Sequence, residues 1–512
     1  MATLPTLNRA LLRSPGFRDR SPVLAPNEEQ LALPERAVQF GTGALLRGFV
    51  DFFVDEANRR GEFNGRIVAI GSTGSGRDAR INDQDGLFTL SSRGIVDGEP
   101  VVDQRIVSSV SRALSAQDDW GAVLDCARNP ELRLVFSNTT EVGIALDDSD
   151  TNPDAAPPRS FPGKLARFLF ERARTFDFDP AKGVVVVPCE LIENNGRRLR
   201  EIVLTLASRW KLDARFARWI DDAVPFCNTL VDRIVPGAPA PDEGATLAAT
   251  LGYQDAMLTT AEPYRLFALE RPEGAERFEE RLGIAAADRG IIITDDIAPY
   301  RLRKVRMLNG THTIMVALAL LAGCETVREA LEHELVGRFI RRVLLDEIVP
   351  AAEVPGGAQF AREVLDRFAN PYIRHALIDI TLQGTMKMRV RVVPSIVEFA
   401  ERTGRAPSSL AFGFAAFLSY MRDADATAPA SARARRPPDD HAGELRAYWR
   451  DCDGSAAAMT LVADRICGDV ALWGADLRAV PGFLDAVSED LLRIQRDGVV
   501  AALDVHLAEV AV

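Results

Sequence analysis

The sequence lacks long apolar runs, so several classes of protein are excluded at once. No apolar run is long enough to cross a bilayer, and we therefore expect no membrane partner. Near the N-terminus, Arg9, Arg13, Arg18 and Arg20 occur without an apolar core after them, which argues against a signal peptide.

Cysteine and histidine are also scarce, with six and five copies in 512 residues. No two cysteines have CxxC spacing, and the histidines do not have the spacing of zinc ligands. Several cysteines lie in apolar surroundings. We therefore predict free thiols, a reducing cytoplasmic location and no metal site.

Basic residues are outnumbered by acidic ones, giving a net charge of −12, which argues against a general nucleic-acid binder. Two local basic clusters, at residues 301–306 and 387–391, stand out against this background. Such clusters fit an anionic ligand or a solvated charged face. The length and a hydrophobic content of 47% favour two globular domains, in a monomer or a small homo-oligomer.

The first half of the chain alternates apolar strand patterns with helical ones. The predicted strands are 36–40, 66–70, 132–136 and 183–187, and the predicted helices are 45–60, 163–174 and 197–209. This alternation is typical of an α/β domain with a parallel, helix-covered sheet.

The second half is predicted to be mostly α-helical, apart from a short β-branched run at 290–294. The predicted helices are 304–322, 325–346, 359–369, 371–383, 394–402, 408–420, 455–468 and 481–509. We place the domain boundary at residue 280, which gives domains 1–280 and 281–512. Residues 426–440, rich in Pro, Arg and Asp, are predicted to form a surface loop.

A glycine-rich turn joins the first strand to the first helix at Gly41 and Gly43. In this context backbone N–H groups bind the pyrophosphate of a dinucleotide at a helix N-terminus. The third glycine is Gly48, so the pattern departs from GxGxxG, and a turn without a ligand remains an alternative. No acid directly follows the second strand, where Asp78 is the nearest carboxylate, so NAD and NADP both stay open.

Two further polar segments, 136–143 and 187–196, follow later strands. Strand C-termini line the ligand crevice of a doubly wound sheet, so residues of the first segment are candidates for contact with the nicotinamide ribose or the substrate. Helix capping by Ser or Thr is the structural alternative.

Lys304, Asn309 and His312 precede a strongly apolar stretch, residues 314–322, which is predicted to be a buried helix. If the helix begins near Lys304, with each residue turning about 100°, the other two lie within roughly 140° of it. One small ligand would then touch all three side chains. Partial desolvation would lower the pKa of the lysine toward the range of a general base. Alternatively, Lys304 points to solvent, a turn follows Asn309, and His312 is a core residue.

Taken together, these motifs resemble the mannitol dehydrogenase family of polyol-specific long-chain dehydrogenases, over roughly residues 35–500. Within it, the resemblance is to the branch that acts on sugar acids of hexuronate metabolism. The matching segments are 39–47, 85–89, 137–143, 188–196, 228–236, 262–264, 304–312 and 370–374.

The resemblance implies an N-terminal Rossmann-type domain, a mostly α-helical C-terminal domain, a nicotinamide cofactor and no catalytic metal. It makes Lys304 the general base, while Asn309 stabilises the alkoxide and His312 orients the substrate. The implied cofactor-binding residues are Phe40, Gly41, Gly43, Ala44, Leu45, Arg47, Asn138, Thr140 and Glu141. The implied substrate-binding residues are Glu141, Asp232, Arg301, Arg374 and Lys387.

Two positions depart from the mannitol-type pattern. The CDN segment of mannitol-type members reads Cys189-Glu190-Leu191 here, which leaves Asn194 or Asn195 as a replacement for the lost asparagine. A proton-relaying glutamate three residues before the lysine is replaced by Arg301, which can pair with a carboxylate.

We therefore predict an NAD(P)-dependent oxidoreductase that interconverts a sugar acid and its keto form, with D-altronate and D-tagaturonate as the expected pair. NAD is the expected cofactor and NADP stays open. The alternatives are a neutral polyol 2-dehydrogenase of the mannitol or arabinitol type and a non-catalytic dinucleotide-binding protein.

Overall fold

A computed structural model describes residues 4–17, 21, 23–72, 76–139, 143–422 and 437–509. The chain forms two compact units. Unit 1 comprises residues 1–93 and 101–297, and unit 2 comprises residues 94–100 and 298–512. The predicted surface loop at 426–440 lies mostly outside the described residues, which resume at residue 437.

The strands occur in the first 300 residues of the described chain. They are β1 (Glu35–Phe40), β2 (Arg66–Gly71), β3 (Phe88–Val96), β4 (Glu99–Val107), β5 (Val110–Ser115), β6 (Leu134–Ser137), β7 (Val185–Pro188), β8 (Thr229–Asp232), β9 (Thr259–Ala261), β10 (Leu266–Glu270) and β11 (Ile291–Thr294).

Five of these strands form the central sheet of unit 1, in the order β5-β2-β1-β6-β7. The four neighbouring pairs of strands within it are parallel. β1, β2, β6 and β7 are apolar and almost entirely buried, as expected for a sheet covered by helices on both faces. The predicted α/β class of the first domain is confirmed.

Helices of unit 1 pack on this sheet, and the apolar core lies between the sheet and these helices. The helices are Arg9–Leu12, Glu28–Leu31, Ala44–Gly48, Val50–Arg59, Arg77–Asp83, Trp120–Ala127, Phe161–Thr175, Asn195–Arg209, Ala214–Ala223, Pro241–Leu251 and Phe278–Leu282, with a 3-10 turn at Pro180–Lys182. One apolar cluster includes Phe49, Phe53 and Phe267, and a second includes Phe40 and Phe168. Burial of apolar surface stabilises such clusters by a free energy of about 25 cal/mol per Å² removed from water.

Two three-stranded sheets complete the β-structure, in the orders β11-β10-β8 and β4-β3-β9. β11 follows the predicted boundary at residue 280, but it pairs in parallel with β10, and unit 1 extends to Ile297. Asp97 and Gly98 link β3 to β4 with φ angles of 53° and 82°. Such a pair of left-handed residues gives the twist that a two-residue hairpin turn needs.

Unit 2 is mainly helical, which confirms the predicted class of the second half. Its α-helices are Ala298–Arg303, Thr311–Leu321, Val327–Glu332, Glu334–Arg342, Val349–Ala352, Gly357–Phe368, Leu377–Ile380, Gly384–Lys387, Val393–Thr403, Ser408–Arg422, Ala442–Tyr448, Ala456–Cys467, Val470–Trp473, Phe483–Asp497 and Val499–Glu509. Three stretches, Lys304–Gly310, Val343–Ile348 and Met388–Val392, are π-helical, and Leu477–Ala479 is a 3-10 turn.

Three predicted helices of unit 2 were too long. The predicted helix at 371–383 was wrong except at Leu377–Ile380, since residues 371–376 form no helix. The one at 325–346 is interrupted at His333, whose ring accepts from the N–H of Val336 at the start of the next helix. The one at 481–509 is broken at Gly498, where φ is 80°. Within the described residues, no helix has both the length and the apolarity of a membrane span.

Candidate functional site

Three segments picked out in the sequence meet at one edge of the central sheet of unit 1. β1, β6 and β7 are parallel, so their carboxyl ends lie at the same edge. The N–H of Asn138 donates to the carbonyl of Phe40 at 3.1 Å, and its side-chain amide donates to the carbonyl of Cys189 at 2.9 Å. Asn138 therefore ties all three strand ends together.

The glycine-rich turn after β1 has two glycines with different structural roles. Gly41 has a φ of 133°, and a Cβ added there would lie 2.8 Å from the carbonyl oxygen of Asn138. Gly43 has a φ of −72°, and a Cβ added there would have no neighbour within 4 Å. Gly41 is therefore required by the backbone, whereas Gly43 leaves open space in front of the following helix.

That open space fits the pyrophosphate of a dinucleotide. Gly43 is the N-cap of the helix Ala44–Gly48, and no side chain caps its first N–H groups. Uncapped N–H groups at a helix start bind phosphate oxygens, and a glycine lets the ligand approach the backbone. Among the predicted cofactor residues, Ala44 and Leu45 are half-buried at this start.

The side chains of Phe40 and Arg47 point into the protein. Phe40 is fully buried, and its ring packs against the ring of Phe168 with centroids 5.9 Å apart. Arg47 donates to the carbonyl of Thr42 at 2.7 Å and to the hydroxyl of Thr259 at 3.0 Å. Phe40 therefore offers only backbone atoms to a cofactor, and Arg47 stabilises the turn through Thr42.

Asp51, one turn after Arg47, was missed in the sequence. Its carboxyl group is fully buried beside a void of about 10 Å³ that is also lined by Gln39, Thr42 and Arg47. Burial raises its pKa to about 8, and the charge of Arg47 acts in the opposite direction. The sequence did contain a signal for it, because Asp51 lies in the first predicted helix after the glycine-rich turn and four residues after Arg47.

Glu190 precedes Leu191, the residue that replaces the asparagine of the mannitol-type pattern. Glu190 is almost completely buried, and its oxygens accept from the hydroxyl of Ser137 and from the N–H and hydroxyl of Thr139. Burial raises its pKa, and the hydrogen bonds partly offset that effect. Through these hydrogen bonds, Glu190 fixes the segment after β6. Leu191 is 56% exposed.

Asn195 is already engaged within the fold. Its Nδ2 donates to the carbonyls of Pro188 and Glu190 and to the hydroxyl of Thr229, while its Oδ1 accepts from two backbone N–H groups. The amide therefore has no capacity left for a ligand. Asn194 is exposed and has a left-handed backbone, so it is the freer of the two candidates.

Some predicted residues at this edge lie beyond what the structure describes. Thr140 and Glu141 fall outside the described residues, as do residues 73–75 after β2. At the end of β2, the carboxylate of Asp78 lies 3.3 Å from the position of a Cβ added to Gly71. Asp232, at the end of β8, is buried.

Lys304 and Asn309 lie in the π-helical stretch Lys304–Gly310, and His312 lies in the α-helix that continues from it. The helical stretch begins at Ala298, so the assumption that it begins near Lys304 was wrong. Pro299 sits in the first turn of this helix, where its missing N–H costs no hydrogen bond. The alternative of a turn after Asn309 was also wrong, since the helix is continuous there.

The three side chains differ in exposure. Lys304 and Asn309 are half-buried, and His312 is buried. The ring of His312 stacks on Phe368, with centroids 4.2 Å apart and planes at 25°. It also contacts the ring of His375, with centroids 4.9 Å apart and planes at 73°. His375 was not among the predicted site residues, because its proximity depends on tertiary packing.

The predicted substrate-binding cations of unit 2 occupy different environments. Arg301 is half-buried in the turn before Lys304. Lys387 donates to the carbonyl of Ile380 at 3.0 Å, and burial together with the charge of Arg391 lowers its pKa. Arg374 is largely exposed and pairs with Glu325 at 3.3 Å.

The basic segment at 387–391 packs close to the helical stretch that carries Lys304. A Cβ added to Gly310 would lie 3.2 Å from the carbonyl oxygen of Arg391. The guanidinium of Arg391 donates to the hydroxyl of Thr313 at 3.4 Å. The two basic clusters seen in the sequence therefore belong to neighbouring segments of unit 2.

No group of three His, Cys, Asp or Glu residues arranged to hold a metal ion occurs in the described part of the chain. Unit 1 also has an open cleft of about 870 Å³, lined among others by Arg197, Asn228, Glu270 and Arg271. None of the predicted site residues lines it.

Known families and proteins give a consistent comparison. Residues 35–279 match the family model described as the mannitol dehydrogenase Rossmann domain, and residues 296–495 match the mannitol dehydrogenase C-terminal domain. The altronate oxidoreductase of Bacillus subtilis (strain 168) is 42% identical over 473 residues, which is 92% of this chain and 95% of that protein. The altronate oxidoreductase of Yersinia pestis is 39% identical over 476 residues, 92% of this chain and 96% of that protein.

Two solved structures share the fold. Mannitol 2-dehydrogenase of Pseudomonas fluorescens, in a ternary complex with NAD and D-mannitol, aligns with a TM-score of 0.66 at 24% identity, covering 98% of this chain and 99% of that one. D-sorbitol dehydrogenase in substrate-free form aligns with a TM-score of 0.76 at 24% identity, covering 97% and 100%.

Proposed function

The chain belongs to the mannitol dehydrogenase family, and from that premise we propose that it interconverts D-altronate and D-tagaturonate, a sugar acid and its keto form. It is an NAD-dependent oxidoreductase that acts on a CH–OH group. The choice of a sugar acid is supported by relatives named altronate oxidoreductase, which are 38–42% identical over more than nine tenths of the chain.

The observation that carries the proposal is the continuous helical stretch of unit 2 that holds Lys304, Asn309 and His312. A lysine amine, a carboxamide and an imidazole can take a proton, donate a hydrogen bond to an oxyanion and orient a hydroxyl group. In the described residues, the side-chain amide of Asn309 makes no hydrogen bond within the protein. It therefore remains available to a substrate oxygen.

Oxidation of the substrate alcohol needs a base and an acceptor. Bound NAD would supply the acceptor for the hydride that leaves the carbon bearing the hydroxyl group. We assign Lys304 as the base that takes the hydroxyl proton, and as the acid that returns it in the reverse reaction. Asn309 donates a hydrogen bond to the developing alkoxide, and His312 orients the substrate.

We assign the cofactor to unit 1 and its pyrophosphate to the turn at Gly41 and Gly43. Asn138 holds the adjacent strand ends, so the turn is fixed before a ligand arrives. Thr140 and Glu141 remain part of this assignment through the family resemblance, as does Asp232 for the substrate.

A carboxylate on the substrate would suit the cations of unit 2. Burial and the like charge of Arg391 both lower the pKa of Lys387, and the two cations repel each other. A bound anion relieves such repulsion, whereas a neutral polyol does not. Arg301 and Arg374 are further candidates, and Arg374 would have to leave its exposed pair with Glu325.

A substrate panel tests this proposal. Initial rates are measured by nicotinamide absorbance for aldonates and the matching alditols, each with NAD and with NADP. We expect kcat/KM for the aldonate to exceed that for its alditol by about tenfold or more, because a paired carboxylate adds binding that the alditol lacks. Higher kcat/KM for the alditol would identify a neutral polyol dehydrogenase instead.

One variant separates carboxylate binding from general activity. Lys387→Met should lower kcat/KM for the aldonate and leave the alditol rate nearly unchanged. Lys182→Met is the matched control, because Lys182 lies in unit 1 over the ring of Phe176. An unchanged aldonate-to-alditol ratio in Lys387→Met would remove Lys387 from the substrate site.

The thiols support a reducing compartment. All six cysteines are free, and five of them are buried. Free thiols persist in the cytoplasm, where disulfides are rare, so we place the enzyme there.

A further inference from the structure

His375 is a half-buried imidazole that touches His312 and has no role in the site as assigned above. The two rings meet at 4.9 Å with their planes 73° apart. With Phe368 stacked at 4.2 Å, the His312 imidazole is in contact with two other rings. Ring contacts of this kind restrict the orientation of an aromatic side chain.

The backbone of His375 is held independently of its side chain. Its carbonyl accepts from the N–H of Val327 at 3.0 Å, and the next residue, Ala376, forms an antiparallel bridge with Thr326. The N–H of Leu377 donates to the carbonyl of Glu325 at 2.9 Å. Replacing the imidazole therefore leaves these backbone bonds in place.

The charges around His375 determine its protonation. Burial lowers the pKa of its imidazole, Asp379 opposes this effect, and Arg367 adds to it. The other titratable ring that faces it is His312. When His375 is neutral, its ring tolerates a proton on the neighbouring His312. When His375 is a cation, it repels a protonated His312.

We propose that His375 is a positioning residue which, together with Phe368, fixes the plane of the His312 imidazole for its hydrogen bond to the substrate. This inference rests on the proposed function, because it assumes that His312 contacts substrate. When His375 gains a proton in acid, it disturbs His312 and lowers the rate.

Two substitutions separate the ring from its charge. His375→Ala removes the ring and should lower kcat/KM by about tenfold or more, with the Kd for NADH unchanged. His375→Phe keeps a flat ring and should restore most of that loss. The thermal midpoint of each variant is measured to show that the fold is intact.

The pH profile gives a readout that a purely structural role would not change. It is measured in the direction of ketone reduction, where Lys304 acts in its protonated form and acid does not remove the catalytic acid. Because burial lowers the pKa of His375, wild type should lose kcat/KM only at pH values below the ordinary histidine pKa of about 6.5. His375→Phe should lack this loss. A wild-type rate in His375→Ala, or an unchanged acid limb in His375→Phe, would overturn the proposal.

A second readout needs no turnover. In protein with ¹³C-labelled histidine, the ring signal of His312 is assigned from its disappearance in His312→Gln. That signal should move in His375→Ala, because a ring 4.9 Å away is removed, whereas the control His441→Phe, at a partly exposed position, should leave it unchanged. A His312 signal that does not move contradicts this inference, while absence of turnover on every sugar acid contradicts the proposed function alone.

Discussion

At the scale of single residues, the proposed function assigns a different task to each of the three polar side chains of unit 2, Lys304, Asn309 and His312. Lys304 is the only one of them that can take and return a proton through an amine, while Asn309 can only donate or accept hydrogen bonds. His312 is held between neighbouring rings and is therefore suited to orientation. Loss of each residue should therefore have a different kinetic result.

Substitution of the lysine tests this division most directly. Lys304→Ala should lower kcat by about two orders of magnitude or more, because the hydroxyl proton loses its acceptor. The Kd for NADH, measured by fluorescence, should stay nearly unchanged, since the cofactor turn belongs to unit 1. Lys304→Arg keeps a positive charge that does not deprotonate, so it should be as inactive in oxidation. A variant that retained most of its turnover would contradict the assigned role.

Asp51 illustrates a residue whose effect is on stability. Its pKa rises to about 8 from 3.8, so the folded protein keeps a proton that the unfolded chain releases over this range. The stabilisation is therefore present at low pH and lost as the pH rises through the folded-state pKa. In Asp51→Asn this dependence is absent.

The free energy of unfolding is measured by urea denaturation between about pH 5 and pH 8. As the pH rises, the value for wild type should fall relative to the value for Asp51→Asn. The difference should approach about 1 kcal/mol per pH unit. Asp504→Asn, on an exposed position of the helix Val499–Glu509, is the control and should parallel wild type. Parallel curves for wild type and Asp51→Asn would mean that this carboxyl group does not titrate in that range.

At the scale of elements, the glycine-rich turn separates a folding requirement from a binding requirement. Gly43→Ala introduces a methyl group into open space at an ordinary φ, so stability should change by less than about 1 kcal/mol. That methyl group would occupy the place where the pyrophosphate approaches, so the Kd for NADH should rise by about tenfold or more. Thermal unfolding and a fluorescence titration measure the two effects.

The neighbouring glycine should behave differently. In Gly41→Ala the new Cβ meets the carbonyl of Asn138 at 2.8 Å, and φ is 133°, so stability should fall together with binding. Gly121→Ala, in the helix Trp120–Ala127, has nothing within 4 Å and should affect neither. Normal NADH binding by Gly43→Ala would place the pyrophosphate elsewhere.

The π-helical stretches have two origins. Val343–Ile348 and Met388–Val392 run up to Pro350 and Pro394, and a proline ring clashes with the carbonyl four residues earlier, which a wider turn relieves. No proline follows Lys304–Gly310 at that spacing. π-turns without such a local cause occur often at functional sites, which agrees with the position of Lys304 and Asn309.

The strands that were predicted well contain a compact apolar segment, although Gln39 lies within the segment of β1. The prediction of 36–40 for β1 and 66–70 for β2 differs from the structure by one residue at one end. β3 and β4 were missed because Ser and Arg interrupt their pattern, although Asp97-Gly98 is a strong hairpin signal. The π-turn at Lys304 follows from no sequence pattern, because the 100° periodicity used for helices assumes an α-helix.

At the scale of the whole molecule, residues far apart in sequence meet within each of the two units. Gly41, Asn138 and Cys189 meet because three parallel strands end at one edge, and this convergence was predictable from the strand–helix alternation. The contact of His312 with His375 was not, since it depends on how the helices of unit 2 pack. The family motifs therefore pointed to His312 but not to the ring of His375 beside it.

The cysteines give a prediction that concerns the complete chain. Cys126, Cys189, Cys227, Cys324 and Cys467 are buried, and burial raises the pKa of each of these thiols, to about 11 for Cys126 and about 12 for Cys467. The thiolate is the reactive form, so these five should react slowly at neutral pH. Cys452 is only half-buried.

Brief alkylation of the native protein with iodoacetamide at neutral pH should therefore give one main adduct, at Cys452, as identified by peptide mass spectrometry. After denaturation without a reductant, all six thiols should be labelled, because none is in a disulfide. Cys452→Ser should abolish the rapid adduct and leave the slow ones unchanged. Rapid labelling of a buried thiol would show that the unit containing it opens on the timescale of the reaction, and fewer than six adducts after denaturation would reveal a disulfide that the structure does not contain.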